Sequence, residues 1–397
     1  MQLSEKALAI SPSLTLKITA MAKEMKSRGL DVVGFGAGEP DFDTPQHIKN
    51  AAIEALRIGL TKYTPASGTA ELKQAICTSL KKKHELDYEP SQIVVSCGAK
   101  HSLFNVFQAI LNPEDEVIII QPYWLTYPEL VKMAYGVPVY VDAPESNNFE
   151  PHACDIEAAI TSKTKAIIVN NPSNPCGCIY SEKTLREIAQ IAKEHDLFIV
   201  SDEIYGELVY DGNKHCSIAN LSHDAYERTI LVNGLSKTYA MTGWRIGYTA
   251  STAQIAKVMG SYQSHATSNP CSIAQFAGVQ ALVGPQTEIE EMRKEFDERR
   301  KMMVKQINDI DRISCITPMG AFYVMMNISQ LKGHRVDGKV INGSLDFAEL
   351  LLEKELTAVI PGVAFGADDF VRLSYAISRE NIEKGIERIA QFVSKID

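Results

Sequence analysis

The 397-residue chain lacks several features that would assign it to common protein classes. It has no apolar run approaching the roughly 18–20 residues that span a bilayer, and its start, MQLSEKALAISPSL, lacks the apolar stretch of a signal peptide. It also lacks an excess of basic residues, since 40 Lys and Arg stand against 49 Asp and Glu, a net charge of −9. We therefore expect a cytoplasmic protein that binds neither nucleic acid nor membrane.

Cysteine and histidine are too scattered to predict a disulfide framework or a metal centre. Of the eight cysteines only Cys176 and Cys178 lie close, and one intervening residue is not the usual zinc spacing. The nine histidines are dispersed without an HExxH segment. His84 and His195 lie in polar helical segments and are expected at the surface. The sequence predicts free thiols in a reducing compartment and no metal site.

Short apolar runs alternate with helical patterns through the middle of the chain. This alternation predicts βα units on a mostly parallel sheet, and therefore an α/β fold. The runs are Ile93–Ser96, Val117–Ile120, Ala166–Val169, Phe198–Ser201 and Thr229–Val232.

Composition and pattern also divide the chain into parts. We expect residues 46–285 to form a large domain, with the sheet flanked by helices. A long charged helix and strand-like segments near 320–328 and 369–377 predict a smaller α+β domain over residues 286–397. Residues 1–45 form an arm punctuated by Pro and Gly, which would complete part of the small domain.

Polar, Gly-rich or aromatic residues follow each of the five apolar runs. The segments read SCGAKH, QPYWLTY, NNPSNPCG, SDEIYGE and NGLSKTYAMTGWRIGY. In open α/β sheets, ligands bind beyond the carboxyl ends of the strands. Each segment alone is explained by an ordinary polar loop. Five together, carrying a lysine, an aspartate and an arginine, favour one ligand site at this edge of the sheet.

Three positions suggest specific chemistry. In SCGAKH a glycine turn opens a helix whose first amides, at Ala99 and Lys100, could hold a phosphate, although a plain helix start explains the segment as well. Asp202 ends an apolar strand, where a carboxylate needs a cationic partner unless it caps the next segment. Lys237 would become a nucleophile for carbonyls if it lost water near other cations, whereas most lysines stay solvated.

The spaced motifs resemble those of the class I pyridoxal-phosphate aminotransferases. The lysine segment GLSKTYAMTGWRIGY carries the likeness, with NNPSNPCG and SDEIY. GEPDFDTP, KYTPASG and VRLSY match as well, and all six run in the family's order from residue 38 to residue 375. Within the family the chain most resembles the bacterial aspartate branch with a short N-terminal arm. The resemblance implies the fold-type I architecture, with a large cofactor-binding domain and a smaller domain.

The resemblance implies a role for each matched position. Lys237 would form the Schiff base and act as general acid/base, Asp202 would pair with the pyridinium nitrogen, and Tyr205 would hydrogen-bond the phenolic oxygen. The other implied cofactor contacts are Gly98, Ala99, Lys100, Trp124, Asn174, Ser236, Arg245 and, from a second subunit, Tyr63. The residues implied to bind the substrate are Gly38, Trp124, Asn174 and Arg372, of which Arg372, Asn174 and the Gly38 backbone would hold its α-carboxylate.

The expected reaction is ping-pong transamination between an L-amino acid, with aspartate the best guess, and 2-oxoglutarate. A homodimer with active sites at the subunit interface would carry it out. A dicarboxylic substrate needs a second cation, for which Lys100 is the candidate, with Thr15 as a hydrogen-bond donor. A surface or phosphate-side role explains Lys100 equally well.

Alternative functions share single features with this sequence. The same cofactor would serve a transaminase for aromatic residues, alanine or methionine, or a C–S β-lyase that releases pyruvate and ammonia. A cofactor-binding transcription regulator is disfavoured, because we expect neither an extra N-terminal domain nor a basic patch. The glycines at 34, 36 and 38 precede Glu39-Pro40-Asp41, which stops a helix, so they do not predict a dinucleotide loop. Gly234, three residues before Lys237, excludes a Ser-x-x-Lys hydrolase.

Overall fold

Strands alternate with helices over most of the chain. The structure, a computed structural model, describes residues 2–12 and 14–397. The strands are β1 Val33–Gly34, β2 Ile93–Ser96, β3 Glu116–Gln121, β4 Val137–Asp142, β5 Thr164–Asn170, β6 Phe198–Asp202, β7 Thr229–Gly234, β8 Gly247–Ala250, β9 Tyr323–Asn327, β10 Arg335–Val336, β11 Lys339–Val340, β12 Thr357–Ala358, β13 Ile360–Pro361 and β14 Phe370–Ser374. The α-helices are α1 Glu5–Leu8, α2 Leu14–Ser27, α3 Gln46–Arg57, α4 Ala70–His84, α5 Ala99–Ile110, α6 Thr126–Met133, α7 Ala153–Ala158, α8 Glu182–Glu194, α9 His223–Arg228, α10 Ala253–Ala266, α11 Ser272–Val283, α12 Thr287–Asn308, α13 Ser344–Glu355 and α14 Arg379–Ser394.

A seven-stranded sheet forms the centre of the molecule. Its order is β2-β8-β7-β6-β5-β3-β4, and every pair is parallel except those that β8 makes with β2 and β7. All residues of β2 and β7 are buried. Aliphatic strands buried on both faces are typical of parallel sheets covered by helices. The five predicted strands are therefore confirmed, and the sheet gains β4 and β8 beyond them.

Helix ends follow local sequence signals. The Ser181 hydroxyl caps α8 by accepting from the Thr184 amide, and the Ser378 hydroxyl caps α14 by accepting from the Asn381 amide. Helix α8 buries Leu185, Ile188 and Ile191, which recur at helical spacing on one side. Such helices cover the sheet and leave its carboxyl edge open.

The arm and the C-terminal third build a second, smaller region. Strands β13, β14 and β9 form an antiparallel sheet, and β1 of the arm pairs with β12 in parallel. The arm thus packs with residues more than 300 positions later, such as Val33 with Thr357. The domain limits at residues 45 and 285 stay a prediction.

A buried arginine fastens α12 to the segments around it. Arg300 is fully buried and bonds Asp297 at 2.6 Å, Asp211 at 2.6 Å and the Pro318 carbonyl at 2.7 Å. A buried guanidinium needs such partners, because an uncompensated charge in the interior is strongly destabilising. Arg300 therefore stabilises the junction between α12 and the loops that follow β6 and precede β9.

All eight cysteines are free thiols, as predicted. Across the described ranges, no helix combines the length and apolar character needed to cross a membrane. Within the same residues, no cluster of three or more His, Cys, Asp or Glu has the arrangement to hold a metal ion.

Candidate active site

A cavity of about 590 Å³ opens at the carboxyl edge of the central sheet. The ends of β5 and β6 reach it through Asn170 and Asp202, and the segment after β7 reaches it through Lys237. The structure brings together most of the residues predicted from sequence. Those lining the cavity are Thr15, Gly38, Ala99, Lys100, Trp124, Asn174, Asp202, Tyr205, Ser236, Lys237, Arg245 and Arg372.

Lys237 is a partly buried lysine whose amine faces the cavity. Its Nζ donates a hydrogen bond to the Gly38 carbonyl, across 199 residues of sequence. Burial lowers the pKa of Lys237 to about 8, with Arg372 and Arg245 acting in the same direction and the Glu39 carboxylate opposing them. A lysine of this kind is partly neutral near neutral pH, as a nucleophile or proton acceptor must be.

Asp202 is a buried carboxylate, 3% exposed, at the end of β6. Its Oδ2 accepts from the Tyr127 hydroxyl at 2.8 Å, and its Oδ1 accepts from the Ile204 amide at 3.3 Å. Burial raises the pKa of Asp202 to about 6, although both hydrogen bonds and the positive Lys237 lower it. The carboxylate thus lacks a directly bonded cation and would gain from one placed in the cavity.

Asn170 and Asn171, at the end of the neighbouring strand β5, hold the backbone carbonyl of Asp202 in place. The Asn170 side-chain amide donates to the Asp202 carbonyl at 3.0 Å, and the Asn171 backbone amide donates to the same oxygen at 3.1 Å. Asn170 Oδ1 in turn accepts from the Asn174 amide at 2.8 Å. The NNPSNP segment therefore orients both Asp202 and Asn174.

The start of α5 and Arg245 form a cationic corner suited to an anion. The first amides of a helix have no intrahelical acceptor, and the helix dipole favours negative charge there. Gly98 caps α5 with φ +87°, and a Cβ at Gly98 would overlap the Arg245 guanidinium. A Cβ at Gly247 would likewise overlap the Ala99 amide. The buried Ser236 completes this corner of the cavity.

Arg372 is a buried guanidinium on β14. Its NH1 donates to Asn174 Oδ1 at 2.9 Å and its NH2 to the Gly36 carbonyl at 3.3 Å. Its Cζ atom lies 4.3 Å from the centre of the Tyr323 ring. The buried Nε has no hydrogen-bond partner in the part of the chain that the structure describes. Burial lowers the pKa of Arg372, because it disfavours the charged form of the guanidinium and no carboxylate among the described residues pairs with it. A free carboxylate is the natural partner for this fork.

Tyr205 and Tyr323 meet between the two sheets. Their hydroxyls lie 2.9 Å apart, and both rings are buried. Burial raises the pKa of Tyr205, and the neighbouring Tyr323 adds to the shift. The pair therefore stays protonated and can donate a hydrogen bond into the cavity.

Lys100 and Trp124 line the same cavity and contact each other. The Lys100 amine sits 4.8 Å from the centre of the Trp124 ring. Burial lowers the pKa of Lys100, and Arg245 lowers it further. Thr15 of α2 lines the same cavity, and its carbonyl accepts from the Thr19 hydroxyl at 2.7 Å. The Lys100 amine is thus free of carboxylates and reachable by a ligand.

Two predicted contacts lie outside the cavity lining of this chain. Gly98 lies behind Arg245, where it shapes the corner rather than facing the cavity. Tyr63 is 91% exposed and does not line the cavity of its own chain. Its predicted role requires a second subunit and stays a prediction.

One expectation from sequence was wrong. The His84 side chain is only 8% exposed, and its Nε2 lies 3.5 Å from Glu207, although the polar helix around it indicated a surface residue. The end of α4 packs against the segment after β6, where the His84 ring meets His215 edge-on at 5.3 Å. His195 is exposed, as expected.

Sequence reasoning missed several residues of the cavity. Tyr127 bonds Asp202, Tyr323 bonds Tyr205 and faces Arg372, and Glu39 accepts from the Thr242 hydroxyl at 2.6 Å. Tyr127 stands inside the QPYWLTY segment already assigned to the ligand edge, so that signal was present. Tyr323 lies in a strand more than 110 residues from Tyr205, and no local pattern connects them.

Comparison with known proteins identifies the family of this chain. Residues 30–389 match the family model for aminotransferases of class I and II, and the chain belongs to this family. It is therefore an aminotransferase, and the predicted α/β fold with a mostly parallel sheet and flanking helices is confirmed.

Individual relatives cover the chain from end to end. The chain is 49% identical over 395 residues to an aspartate aminotransferase of Bacillus subtilis, covering all of both proteins. The crystal structure of the Rhizobium meliloti aspartate aminotransferase matches with a TM-score of 0.97 and 42% identity, again over both whole chains. The Thermus thermophilus aspartate aminotransferase with maleate matches with a TM-score of 0.93 and 41% identity over 98% of this chain and 99% of that one.

Proposed function

We propose that this aminotransferase uses pyridoxal 5′-phosphate to transfer an amino group between L-aspartate and 2-oxoglutarate. One observation carries the proposal. A partly buried lysine and a buried aspartate open onto the same cavity as three cations, Lys100, Arg245 and Arg372, that have no carboxylate partner within the described chain. Such a site is built to receive a ligand with several negative charges.

The residues present fit the proposed cofactor. The α5 amides, Ser236 and Arg245 match a phosphate, and Asp202 matches a protonated ring nitrogen. Tyr205 and Asn174 would donate to the phenolic oxygen, Trp124 would stack on the ring, and Lys237 would bind the aldehyde carbon. When bound, the cofactor supplies the electron sink that withdraws charge from the substrate Cα.

The chain itself would supply the proton transfers. Lys237, with its pKa lowered to about 8 by burial, holds enough neutral amine to accept the Cα proton. The same Nζ, once charged, would be placed to return the proton to the carbon that ends up bearing the amino group. Asp202 would pair with a protonated ring nitrogen and favour its charged form. Arg372 and Asn174 would hold the α-carboxylate in the orientation that points the Cα hydrogen at Lys237.

Two lines of support favour aspartate as the substrate: the cations of the cavity and the names of similar proteins. Arg372 offers a bidentate fork for one carboxylate, and the Lys100 amine, beside Trp124, offers a cation for a second. Two relatives that match over the whole of both chains, from Bacillus subtilis and Rhizobium meliloti, are named aspartate aminotransferases. A β-lyase with the same cofactor would release pyruvate and ammonia without any 2-oxo acid, which distinguishes it in one assay.

A homodimer is proposed from the exposed surface around α3. Ile53 and Leu56 of α3 are 62% and 57% exposed, and Tyr63 follows at 91%. Apolar side chains this open favour burial against another protein surface. A second copy would cover them and bring its Tyr63 hydroxyl to the phosphate corner. A monomer that is fully active at high dilution would contradict this arrangement.

The test compares two half-buried lysines. Lys237→Ala is expected to abolish aspartate-to-2-oxoglutarate transamination and the visible band of the bound cofactor, because both depend on its amine. Lys73→Ala is the matched control, since burial also lowers the pKa of Lys73, but its amine bonds Ser67 at 3.4 Å in a different cavity. Transamination by Lys237→Ala at a rate near that of the wild type would refute the assignment.

A further inference from the structure

Helix α2 presents one side to the cavity, and that side carries two lysines. Thr15, Ile18, Thr19, Ala22, Lys23 and Lys26 line the cavity. Their spacing of three and four residues places them on one face of a helix with 3.6 residues per turn. Lys17 falls about 180° away on the same helix and does not line the cavity.

Lys23 and Lys26 are exposed and carry uncompensated charge. Neither makes an ion pair with a carboxylate in residues 2–12 and 14–397. Many other surface lysines are paired, such as Lys163 with Glu114 at 2.9 Å. Within α2, Glu24 lies about 180° around the helix from the lysine side and so leaves that side positive. We call Lys23 and Lys26 the cationic rim.

The charge of the rest of the molecule explains what the cationic rim can do. The chain carries a net charge of −9, so its overall field repels an anionic substrate. Lys100 and Arg372 also line the cavity, and the proposed function assigns them to contacts with a ligand that is already bound. Glu39 also lines the cavity, is exposed, and adds a negative charge there. Two free ammonium groups on the cavity side of α2 offset that repulsion where the ligand arrives.

We propose that Lys23 and Lys26 determine selectivity for dicarboxylic over neutral substrates by drawing anions into the cavity through long-range attraction. The inference rests on the proposed function, because it takes aspartate and 2-oxoglutarate as the substrates. It assigns the two lysines to substrate capture and not to the chemical step. The rim therefore acts on kcat/KM and leaves kcat unchanged.

Attraction of this kind scales with the charge of the ligand. Alanine carries no net charge at neutral pH, aspartate carries one negative charge and 2-oxoglutarate carries two. At about 10 Å in water, each pair of charges changes the association constant about twofold. Removing both lysines is expected to lower kcat/KM about two- to fourfold for aspartate, more for 2-oxoglutarate, and not at all for alanine. The loss should vanish near 0.3 M salt, because screening there shortens the reach to roughly 6 Å.

The experiment measures each half-reaction of the cofactor-loaded enzyme by stopped-flow absorbance, at roughly 0.01 M and 0.3 M salt. The variants are Lys23→Gln/Lys26→Gln, the charge-keeping Lys23→Arg/Lys26→Arg, and Lys17→Gln as the control on the outer side of α2. The dissociation constant of succinate, an unreactive dicarboxylate, gives a readout that needs no turnover. The expected result is a loss graded by ligand charge at low salt, restored by the arginine pair and small in Lys17→Gln.

Several results would overturn the proposal. Equal losses for alanine and aspartate would mean that the substitutions disturb the site, and an equal loss in Lys17→Gln would mean that net charge alone matters. No loss in the double variant, from a wild type that converts aspartate and 2-oxoglutarate, would refute the rim and leave the proposed function intact. A wild type that converts neither substrate would overturn both.

Discussion

Tyr127→Phe isolates the hydrogen bond that holds Asp202. The substitution removes one hydroxyl and leaves the buried ring in place. In the wild type this hydroxyl donates to Asp202 Oδ2 at 2.8 Å and lowers the pKa of a carboxylate that burial raises to about 6. The variant therefore leaves a buried carboxylate with only the Ile204 amide as a donor.

The size of the effect follows from the charge on Asp202. A hydrogen bond to an ionised group contributes about 1.5–3 kcal/mol. At roughly 1.4 kcal/mol per pKa unit, its loss raises the pKa of Asp202 by about one to two units, to about 7–8. Because the folded pKa lies above the unfolded one, the native state holds the extra proton, and this group makes stability fall as pH rises between the two values. In the wild type, the contribution of Asp202 to the free energy of unfolding stops falling near pH 6. In the variant it continues to fall up to about pH 8.

The assay is urea unfolding of the cofactor-free protein between pH 5.5 and 8.5. The free energy of unfolding lost in Tyr127→Phe should be small near pH 5.5 and grow by about 1.5–3 kcal/mol towards pH 8. Tyr375→Phe is the matched control, because this buried hydroxyl donates to the Ala321 carbonyl at 3.1 Å and touches no carboxylate. A loss in Tyr127→Phe that is the same at both ends of the range would refute the reasoning.

Three further substitutions test separate parts of the account. Arg372→Lys is expected to lower kcat/KM about 100-fold for aspartate and alanine alike, because a single ammonium cannot replace the fork; a normal value in single-turnover assays would contradict this. Lys100→Ala should reduce kcat/KM for aspartate more than for alanine, and equal losses would remove the distal-carboxylate role. Arg300→Met should lower the free energy of unfolding by about 3 kcal/mol by leaving Asp297 without its buried partner, with activity per folded enzyme unchanged; unchanged stability in urea would contradict it.

The central sheet could be predicted because its strands are aliphatic and buried on both faces. Such runs stand out between amphipathic helices, and all five became strands of the sheet. The two missed strands lack this signal. Strand β4 lies at the edge with exposed residues and a proline, and β8 is the four-residue segment GYTA, whose pairing with β2 and β7 depends on distant partners.

The candidate site divides in the same way. Lys237, Asp202 and Arg372 stand in motifs that carry their chemistry locally, and the structure brings all three to one cavity. The hydroxyls that support them come from packing between remote segments, as with Tyr323 beside Tyr205. The burial of His84 likewise depends on what α4 packs against, which its own polar sequence does not reveal.

The most direct test of the proposed function is the visible absorption spectrum of the purified protein, loaded with pyridoxal phosphate, before and after addition of L-aspartate without any 2-oxo acid. The account predicts that the band of the lysine-bound cofactor bleaches and that oxaloacetate appears once per subunit. Bleaching by alanine or aromatic amino acids but not by aspartate would contradict the substrate assignment. A protein that develops no band with the cofactor would contradict the role of Lys237 and the account built on it.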